Sequence, residues 1–183
     1  MPEVFFTADS HFGHKMLVKD KLRPFDSIEE MDEAMIDRWN ELVGNHDVVY
    51  HLGDLSFHPT LETVKIIGRL NGQIRLVKGN HDHYKGLVTQ NFQWYMTYYE
   101  IKKLEGATLA HKIVLCHYPF ETWNGCHHGT WHLHGHSHGS LNTRPNIRRL
   151  DVCVEDHEYR PYHYDEILEI MQTRVHEPVD HHR

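Results

Sequence analysis

The sequence predicts an α/β protein of one domain, residues 1–183, with its strands in two layers. Three observations support this prediction. The length of 183 residues suits one domain. Apolar residues make up 39% and charged residues 25%, which is typical of a globular chain. The first half alternates apolar strands with amphipathic helices, a pattern typical of βαβ units.

Three short apolar segments in the first half each run into a polar loop. We predict strands in residues 3–9, in 47–52 and at the start of the run QIRLVKGNHD, 73–82. Helices are predicted over 27–43 and 60–70. In the first helix, Ser27 and Glu30 form a Ser-x-x-Glu capping box. Strands alternating with helices favour parallel pairing, and ligand sites in such sheets lie at the carboxyl ends of the strands.

The second half has a different character. Residues 94–106 and 107–117 are predicted to be two strands joined by a turn at Glu105 and Gly106. Further strands are predicted in 130–138 and 146–155, and a helix around 164–175 closes the chain. We expect this half to be mostly antiparallel.

Several classes of protein are excluded by composition. No apolar run approaches the roughly 18 to 20 residues of a membrane helix, and the first residues lack a basic segment before an apolar one, so we expect a cytoplasmic protein. Three cysteines without Cys-x-x-Cys spacing argue against a disulfide scaffold or a thiolate zinc module. The formal charge of −7 argues against long nucleic acid as a partner. The 20 histidines raise the hypothesis of a metal site.

Five polar clusters stand at the predicted strand ends. They are Asp9-Ser10-His11, Gly53-Asp54, Gly79-Asn80-His81-Asp82, His117 and Gly135-His136-Ser137-His138. Carboxylate, amide and imidazole donors without sulfur suit divalent Mn, Fe, Zn or Ni. On an extended segment, residues i and i+2 point the same way, so both side chains of Asp-x-His and of His-x-His can reach one ion or two adjacent ions.

These five clusters, in this order, resemble the motifs of the calcineurin-like metallophosphoesterases. The resemblance runs from Asp9 to His138, and the runs Phe12-Gly13-His14 and Arg23-Pro24-Phe25 look like the compact bacterial and phage members. It implies a two-layer β-sandwich of mixed sheets flanked by helices. It also implies a first metal held by Asp9, His11, Asp54 and His138, and a second held by Asp54, Asn80, His117 and His136.

The same resemblance implies a reaction. Two divalent ions about 3.5 to 4 Å apart clamp a phosphoryl group and supply a bridging hydroxide near neutral pH; we favour manganese. His81 then meets the phosphate or the leaving oxygen, oriented by Asp82, and as a general acid contributes roughly 10²- to 10⁴-fold. The run Gly53-Asp54-Leu55-Ser56 lacks the Asp-Arg-Gly of phosphoprotein phosphatases. We therefore expect small phosphodiesters or nucleotide-derived monoesters as substrates.

Some assignments rest on position alone, and other functions stay open. His14, His58 and Trp123 are candidate substrate contacts, although each also fits a purely structural role. Taken singly, Asp9 and Asp54 fit turns or helix caps equally well. One alternative function is a catalytically silent scaffold of the same fold for protein interactions. Another is a histidine-rich protein that handles metals, and the oligomeric state stays open.

Overall fold

The chain folds into two mixed β-sheets that face each other, with helices packed against them. The computed structural model describes residues 2–102, 112–144, 146–175 and 177. Within these residues the elements are β1 (Val4–Thr7), α1 (Lys15–Lys19), α2 (Ile28–Leu42), β2 (Val48–His51), α3 (Thr60–Ile67), β3 (Gln73–Val77), β4 (Trp94–Met96), β5 (Tyr98–Ile101), β6 (Ile113–Cys116), β7 (Trp131–His134), β8 (Arg149–Asp151), β9 (Tyr162–His163) and α4 (Tyr164–Gln172).

The first sheet has the strand order β4-β3-β2-β1-β9, and the second has the order β5-β6-β7-β8. Strands β1 to β4 are parallel, as the alternation of strands and helices predicts, and β9 joins β1 in antiparallel orientation. Both sheets are mixed and helices flank them, so the predicted fold class is confirmed. The carboxyl ends of β1, β2 and β3 therefore lie side by side at one edge.

Strands β1 and β2 are buried on both faces, and their side chains alternate between the two faces. Phe6 and Tyr50 point into the core between the sheets, which α4 completes with Ile167. Phe5 and Val49 point to the other side, where α2 and α3 pack. Burying a side chain of this size stabilises the fold by about 1.5 to 3 kcal/mol.

Helix α2 begins as its sequence predicts, with one difference at the cap. The Ser27 hydroxyl accepts a hydrogen bond from the Glu30 backbone N–H at 3.0 Å. The Glu30 carboxylate, however, accepts from the N–H of Asp26 at 2.7 Å, one residue before the cap, so the capping box closes only on one side. No helix in the described part of the chain is both long and apolar enough to cross a membrane.

The second half is not mostly antiparallel, and this prediction is wrong. Among the described strands of the second sheet, β5 and β6 are the one antiparallel pair, whereas β6, β7 and β8 are parallel. Residues 117–130 and 135–148 make the two connections, and each has the length of roughly a dozen residues or more that a parallel crossover needs. The predicted strand 94–106 is split at Thr97, where the chain passes from the first sheet to the second. Its expected turn at Glu105 and Gly106 lies outside the described residues.

Candidate metal centre

The loops that follow β1 and β2 run side by side at the carboxyl edge of the first sheet. The N–H of Asp9 donates to the Gly53 carbonyl at 2.9 Å, and the N–H of His11 donates to the Asp54 carbonyl at 3.0 Å. The parallel pairing of the strands thus continues into their loops. As a result, the polar residues after each strand end at the same place.

Five of the seven candidate ligands have left-handed backbone conformations. These residues are Asp9 (φ 56°), His11 (φ 50°), Asp54 (φ 57°), His136 (φ 70°) and His138 (φ 45°). The segments are therefore kinked at each ligand rather than extended, and the alternation argument from the sequence does not explain why the side chains meet. Strained residues of this kind cost about 1 kcal/mol or more each and cluster at functional sites.

Two glycines allow the loops to approach closely. Gly53 has a φ of 101°, and a Cβ atom there would lie 2.6 Å from the backbone nitrogen of Gly79. A Cβ atom at Gly79 would overlap the Asp54 carboxylate. Both positions exclude a side chain, because the ligand loops pass within contact distance of each other.

Asp9, His11 and His138 form a first cluster beside Asp54. One ligand atom from each of the three residues lies within 4.8 Å of the others. Nε2 of His11 is 3.7 Å from Oδ1 of Asp9 and 3.8 Å from Oδ2 of Asp54. The rings of His11 and His138 stack with centroids 5.2 Å apart. Asp9 also accepts the backbone N–H of His136 at 2.9 Å through Oδ2, which ties the two polar loops together.

Asn80, His117 and His136 form a second cluster on the other side of Asp54. Oδ1 of Asn80 lies 2.9 Å from Nε2 of His117 and 3.0 Å from Nδ1 of His136. Nε2 of His117 lies 3.5 Å from Oδ2 of Asp54. All seven side chains that the sequence singles out as metal ligands therefore come together around Asp54.

Three ligand atoms of the first cluster have no hydrogen-bond partner. Oδ1 of Asp9 and both ring nitrogens of His11 are buried without a hydrogen bond. A buried polar atom without a partner costs about 1 to 3 kcal/mol, so such atoms are rare unless something else satisfies them. Carboxylate and imidazole lone pairs of this kind are what a divalent cation binds, so the first cluster fits an ion.

The second cluster also fits a cation, as the position of the ring proton on His117 shows. Nδ1 of His117 donates to the Leu52 carbonyl at 2.8 Å, so this nitrogen carries the proton of the neutral ring. Burial lowers the pKa of His117, which keeps the ring neutral. Its Nε2 lone pair therefore faces the Asn80 oxygen and the Asp54 carboxylate. Three acceptors that converge in this way fit a cation between them, and the backbone bond on Nδ1 is the usual outer partner of a metal-bound histidine.

The electrostatics of the first cluster also suit a cation. Burial raises the pKa of Asp9 well above its usual value, and the nearby carboxylates of Asp151, Glu155 and Asp54 raise it further, although His138 opposes them. Burial lowers the pKa of His11 to about 2, so its ring is neutral and one ring nitrogen offers a lone pair. A bound cation would stabilise the charged carboxylate of Asp9 and would accept that lone pair.

His81 and Asp82 lie at this site but do not form the pair that the sequence predicts. The His81 side chain is 47% exposed, with Nε2 4.0 Å from Oδ2 of Asp54. Asp82 is buried, and its carboxylate accepts three backbone N–H groups, from Asp54 at 2.8 Å, Gly79 at 2.8 Å and Leu55 at 3.0 Å. We therefore correct the role of Asp82: it fastens the two ligand loops to each other rather than orienting the His81 ring.

The three candidate substrate contacts have different surroundings. His14 lies at the rim, with its ring 4.0 Å from that of Phe57 and 5.5 Å from that of His11. Nε2 of His58 is 2.6 Å from Oδ2 of Asp32, so the ring is tied to helix α2. Trp123 is buried at 7% exposure, and its Nε1 donates to the Thr130 carbonyl at 2.9 Å.

Trp123 is therefore not the substrate wall that its loop position suggests. It packs with Val114, Cys126 and Ile147 against the outer face of the second sheet. The long connection between β6 and β7 needs an apolar anchor there, and Trp123 supplies it.

Sequence reasoning missed Arg23 and Glu155. Arg23 is 2% exposed although it lies in the loop between α1 and α2. Its Nη2 atom is 2.5 Å from Oε1 of Glu155, a residue 132 positions away. Glu155 in turn accepts a hydrogen bond from Nδ1 of His138 at 3.0 Å. The only sequence signal was the Arg-Pro-Phe run, because a contact over this separation leaves no periodic pattern.

Other histidines near the centre have structural roles. His132 is fully buried, and its Nδ1 and Nε2 lie 3.1 Å from the carbonyls of Val114 and Tyr118. His51 is also fully buried, and its Nε2 lies 2.8 Å from the Ser10 hydroxyl. Burial lowers the pKa of each ring to about 3, so both are neutral. The abundance of histidine thus does not by itself mark metal ligands.

Comparisons with known proteins place the chain in a family. It is 30% identical over 179 residues to the uncharacterized protein MJ1445 of Methanocaldococcus jannaschii, covering 94% of this chain and 93% of that protein. It is 29% identical over 203 residues to the Gene 66 protein of Mycobacterium phage L5, covering 97% of each. The chain therefore belongs to the same family as MJ1445. A scan of protein-family models finds no match.

One solved structure shares the fold of this chain. The protein of unknown function AQ665 from Aquifex aeolicus superposes with a TM-score of 0.72 at 24% identity, covering 93% of this chain and all of that one. A conserved uncharacterized protein from Streptococcus pneumoniae TIGR4, described as a predicted phosphoesterase, superposes with a TM-score of 0.36 at 22% identity. That second match covers 75% of this chain and 63% of the other.

Proposed function

We propose that this protein is a metal-dependent phosphoesterase of the calcineurin-like type, acting on small phosphodiesters or nucleotide-derived monoesters. One observation carries the proposal: Oδ1 of Asp9 and the ring nitrogens of His11 are buried without partners beside Asp54, and the Nε2 lone pair of His117 faces the same Asp54 carboxylate. A site of this composition suits divalent ions of the Mn, Fe, Zn or Ni type, and we favour manganese. Asp54 lies between the two clusters and is the natural shared ligand.

The first cluster and Asp54 would hold one ion, and Asp54 with the second cluster would hold the other. When bound, two such ions supply Lewis acidity to the phosphoryl oxygens and lower the pKa of water. The charge then favours the substrate locally. Two divalent ions exceed the charges of Asp9 and Asp54, so a phosphoester anion is attracted even though the whole chain carries −7.

His81 is the proposed general acid. Its backbone N–H donates to Oδ1 of Asp54 at 2.9 Å, which sets the loop over the shared ligand. Its ring is exposed and packs against Phe57 with centroids 4.7 Å apart. From this position Nε2 can give a proton to the departing oxygen of a substrate bound over Asp54, which favours alcohols that leave poorly without a proton.

His14 is the proposed substrate contact at the rim. Burial lowers the pKa of His14, so the ring is mostly neutral near pH 7, and it lies edge-on to Phe57. A neutral imidazole at this position can donate a hydrogen bond to a phosphoryl or sugar oxygen. The ring of His58, being tied to Asp32, is less suited to that role.

A metal titration with parallel hydrolysis of bis-p-nitrophenyl phosphate tests the proposed function. We expect the Mn-loaded protein to bind two ions and to hydrolyse the diester, with activity rising as the second ion binds. Two ions without hydrolysis would favour the catalytically silent scaffold. A stoichiometry well above two without hydrolysis would favour the metal-handling protein.

A further inference from the structure

A buried arginine, Arg23, connects the loop that carries Asp9 to the carboxylate of Glu155. The Nη1 atom of Arg23 donates to the Ser10 carbonyl at 2.6 Å, and Nη2 donates to the Asp9 carbonyl at 2.6 Å. Its Nε and Nη2 atoms donate to Oε1 of Glu155 at 2.9 and 2.5 Å. Every side of the guanidinium is therefore engaged by the loop that follows β1 or by Glu155.

Glu155 in turn contacts His138, another residue of the first cluster. Its Oε1 atom accepts both the guanidinium and the ring N–H of His138, the latter at 3.0 Å. The Arg23 guanidinium pairs with this carboxylate at 2.5 Å, and charge-assisted hydrogen bonds of this kind are short and strong.

We propose that Glu155, held in place by Arg23, is a positioning residue for the ion of the first cluster. The bond from Nδ1 of His138 to Glu155 places the proton on that nitrogen. Nε2 then keeps its lone pair and is the ring nitrogen that would bind the ion. Arg23 also donates to the backbone carbonyl of Asp9. The Arg23–Glu155 pair therefore holds both Asp9 and His138, which are far apart in sequence. This inference rests on the metal centre of the proposed function.

A purely stabilising role does not account for the pair equally well. The Nη1 atom of Arg23 lies 3.7 Å from the sulfur atoms of both Met31 and Met35, so the guanidinium has been buried among apolar side chains. Burying an ion pair in such surroundings often yields no more stability than apolar residues of the same volume. What the pair adds is geometry, because three hydrogen bonds of set direction meet at Glu155 Oε1.

Measurement of Mn²⁺ affinity and stoichiometry in Glu155→Ala and Glu155→Gln tests the proposal. We expect Glu155→Ala to weaken the ion of the first cluster by roughly 10- to 100-fold, as removal of an outer partner does, with little change at the second cluster. Glu155→Gln should restore much of that affinity, since its amide oxygen still accepts from His138. Glu166→Ala is the matched control: Glu166 also pairs with a histidine, His157, at 3.0 Å, but it touches no ligand.

Three outcomes would overturn the proposal. In the first, Glu155→Ala binds both ions as the unaltered protein does. In the second, both ions weaken together in proportion to a lower unfolding temperature, which marks a general structural role. In the third, Glu155→Gln binds no better than Glu155→Ala. If the unaltered protein itself binds no ion, the proposed function fails along with this inference. If Glu155→Ala does not fold, Arg23→Lys is measured in its place, and unchanged binding of both ions in that variant would contradict the proposal.

Discussion

The two clusters that flank Asp54 hold their ligand side chains in different ways. In the first, buried atoms of Asp9 and His11 have no partner, and the support comes from behind, through Arg23 and Glu155. In the second, His117 and His136 both contact the side-chain oxygen of Asn80. Each cluster has two histidines beside Asp54. The first also has the carboxylate of Asp9, whereas the second has the neutral amide of Asn80. We therefore expect the first cluster to bind its ion more tightly.

Removal of Asp54, the shared ligand, should prevent both clusters from binding an ion. Asp54→Ala takes a carboxylate from both, so we expect loss of both ions and of all measurable hydrolysis. Equilibrium dialysis against Mn²⁺ measures this directly. Asp37→Ala, an exposed aspartate on α2, is the control and should bind both ions. A normally loaded Asp54→Ala protein would contradict the assignment of Asp54 as the bridge.

Loss of His81 should affect chemistry and leave both clusters loaded. We expect His81→Ala to slow hydrolysis of alkyl phosphodiesters by roughly 10²- to 10⁴-fold. Nitrophenyl esters should be affected much less, because their leaving group hardly needs a proton. His83→Ala, an exposed neighbour, should behave as the unaltered protein. Equal losses on both kinds of ester would remove the general-acid role.

Single-ligand variants should separate the two clusters. His11→Ala should lose the tighter ion and His117→Ala the weaker one, each by more than the roughly 10- to 100-fold that removal of an outer partner costs. Calorimetric titration of each variant with Mn²⁺ measures the remaining ion. If either variant loses both ions, the clusters do not bind independently. If His117→Ala loses the tighter ion, the predicted order is reversed.

The smallest effect is expected at Trp123, which lies outside both clusters. Trp123→Phe removes the hydrogen bond to the Thr130 carbonyl but keeps most of the packing. We expect a loss of about 1 kcal/mol in unfolding free energy, measured by urea denaturation. The Michaelis constant and the metal content should stay unchanged. A raised Michaelis constant at unchanged stability would return Trp123 to the substrate site.

The identity of the residues at the centre could be predicted because short motifs follow predictable strands. A parallel sheet brings the ends of β1, β2 and β3 together, so Asp9, Asp54 and Asn80 had to be neighbours. How their side chains converge could not be predicted, because it depends on left-handed backbone conformations that are uncommon outside glycine and that no sequence pattern marks here.

Long-range partners were beyond the reach of the sequence. Arg23 contacts Glu155, which is 132 positions away in sequence, and only the fold brings His58 next to Asp32. The predicted role of Asp82 failed for a related reason. Its neighbour in sequence is His81, but its neighbours in space are three backbone N–H groups from two different loops. The pairing of the second sheet was missed because loop length, rather than strand composition, decides it.

A crystal grown with Mn²⁺, with data collected at the manganese absorption edge, tests the central claim most directly. We predict two anomalous peaks, one among Asp9, His11 and His138 and the other among Asn80, His117 and His136, with Asp54 touching both. Peaks elsewhere on the surface, with none in the cavity around Asp54, would contradict it.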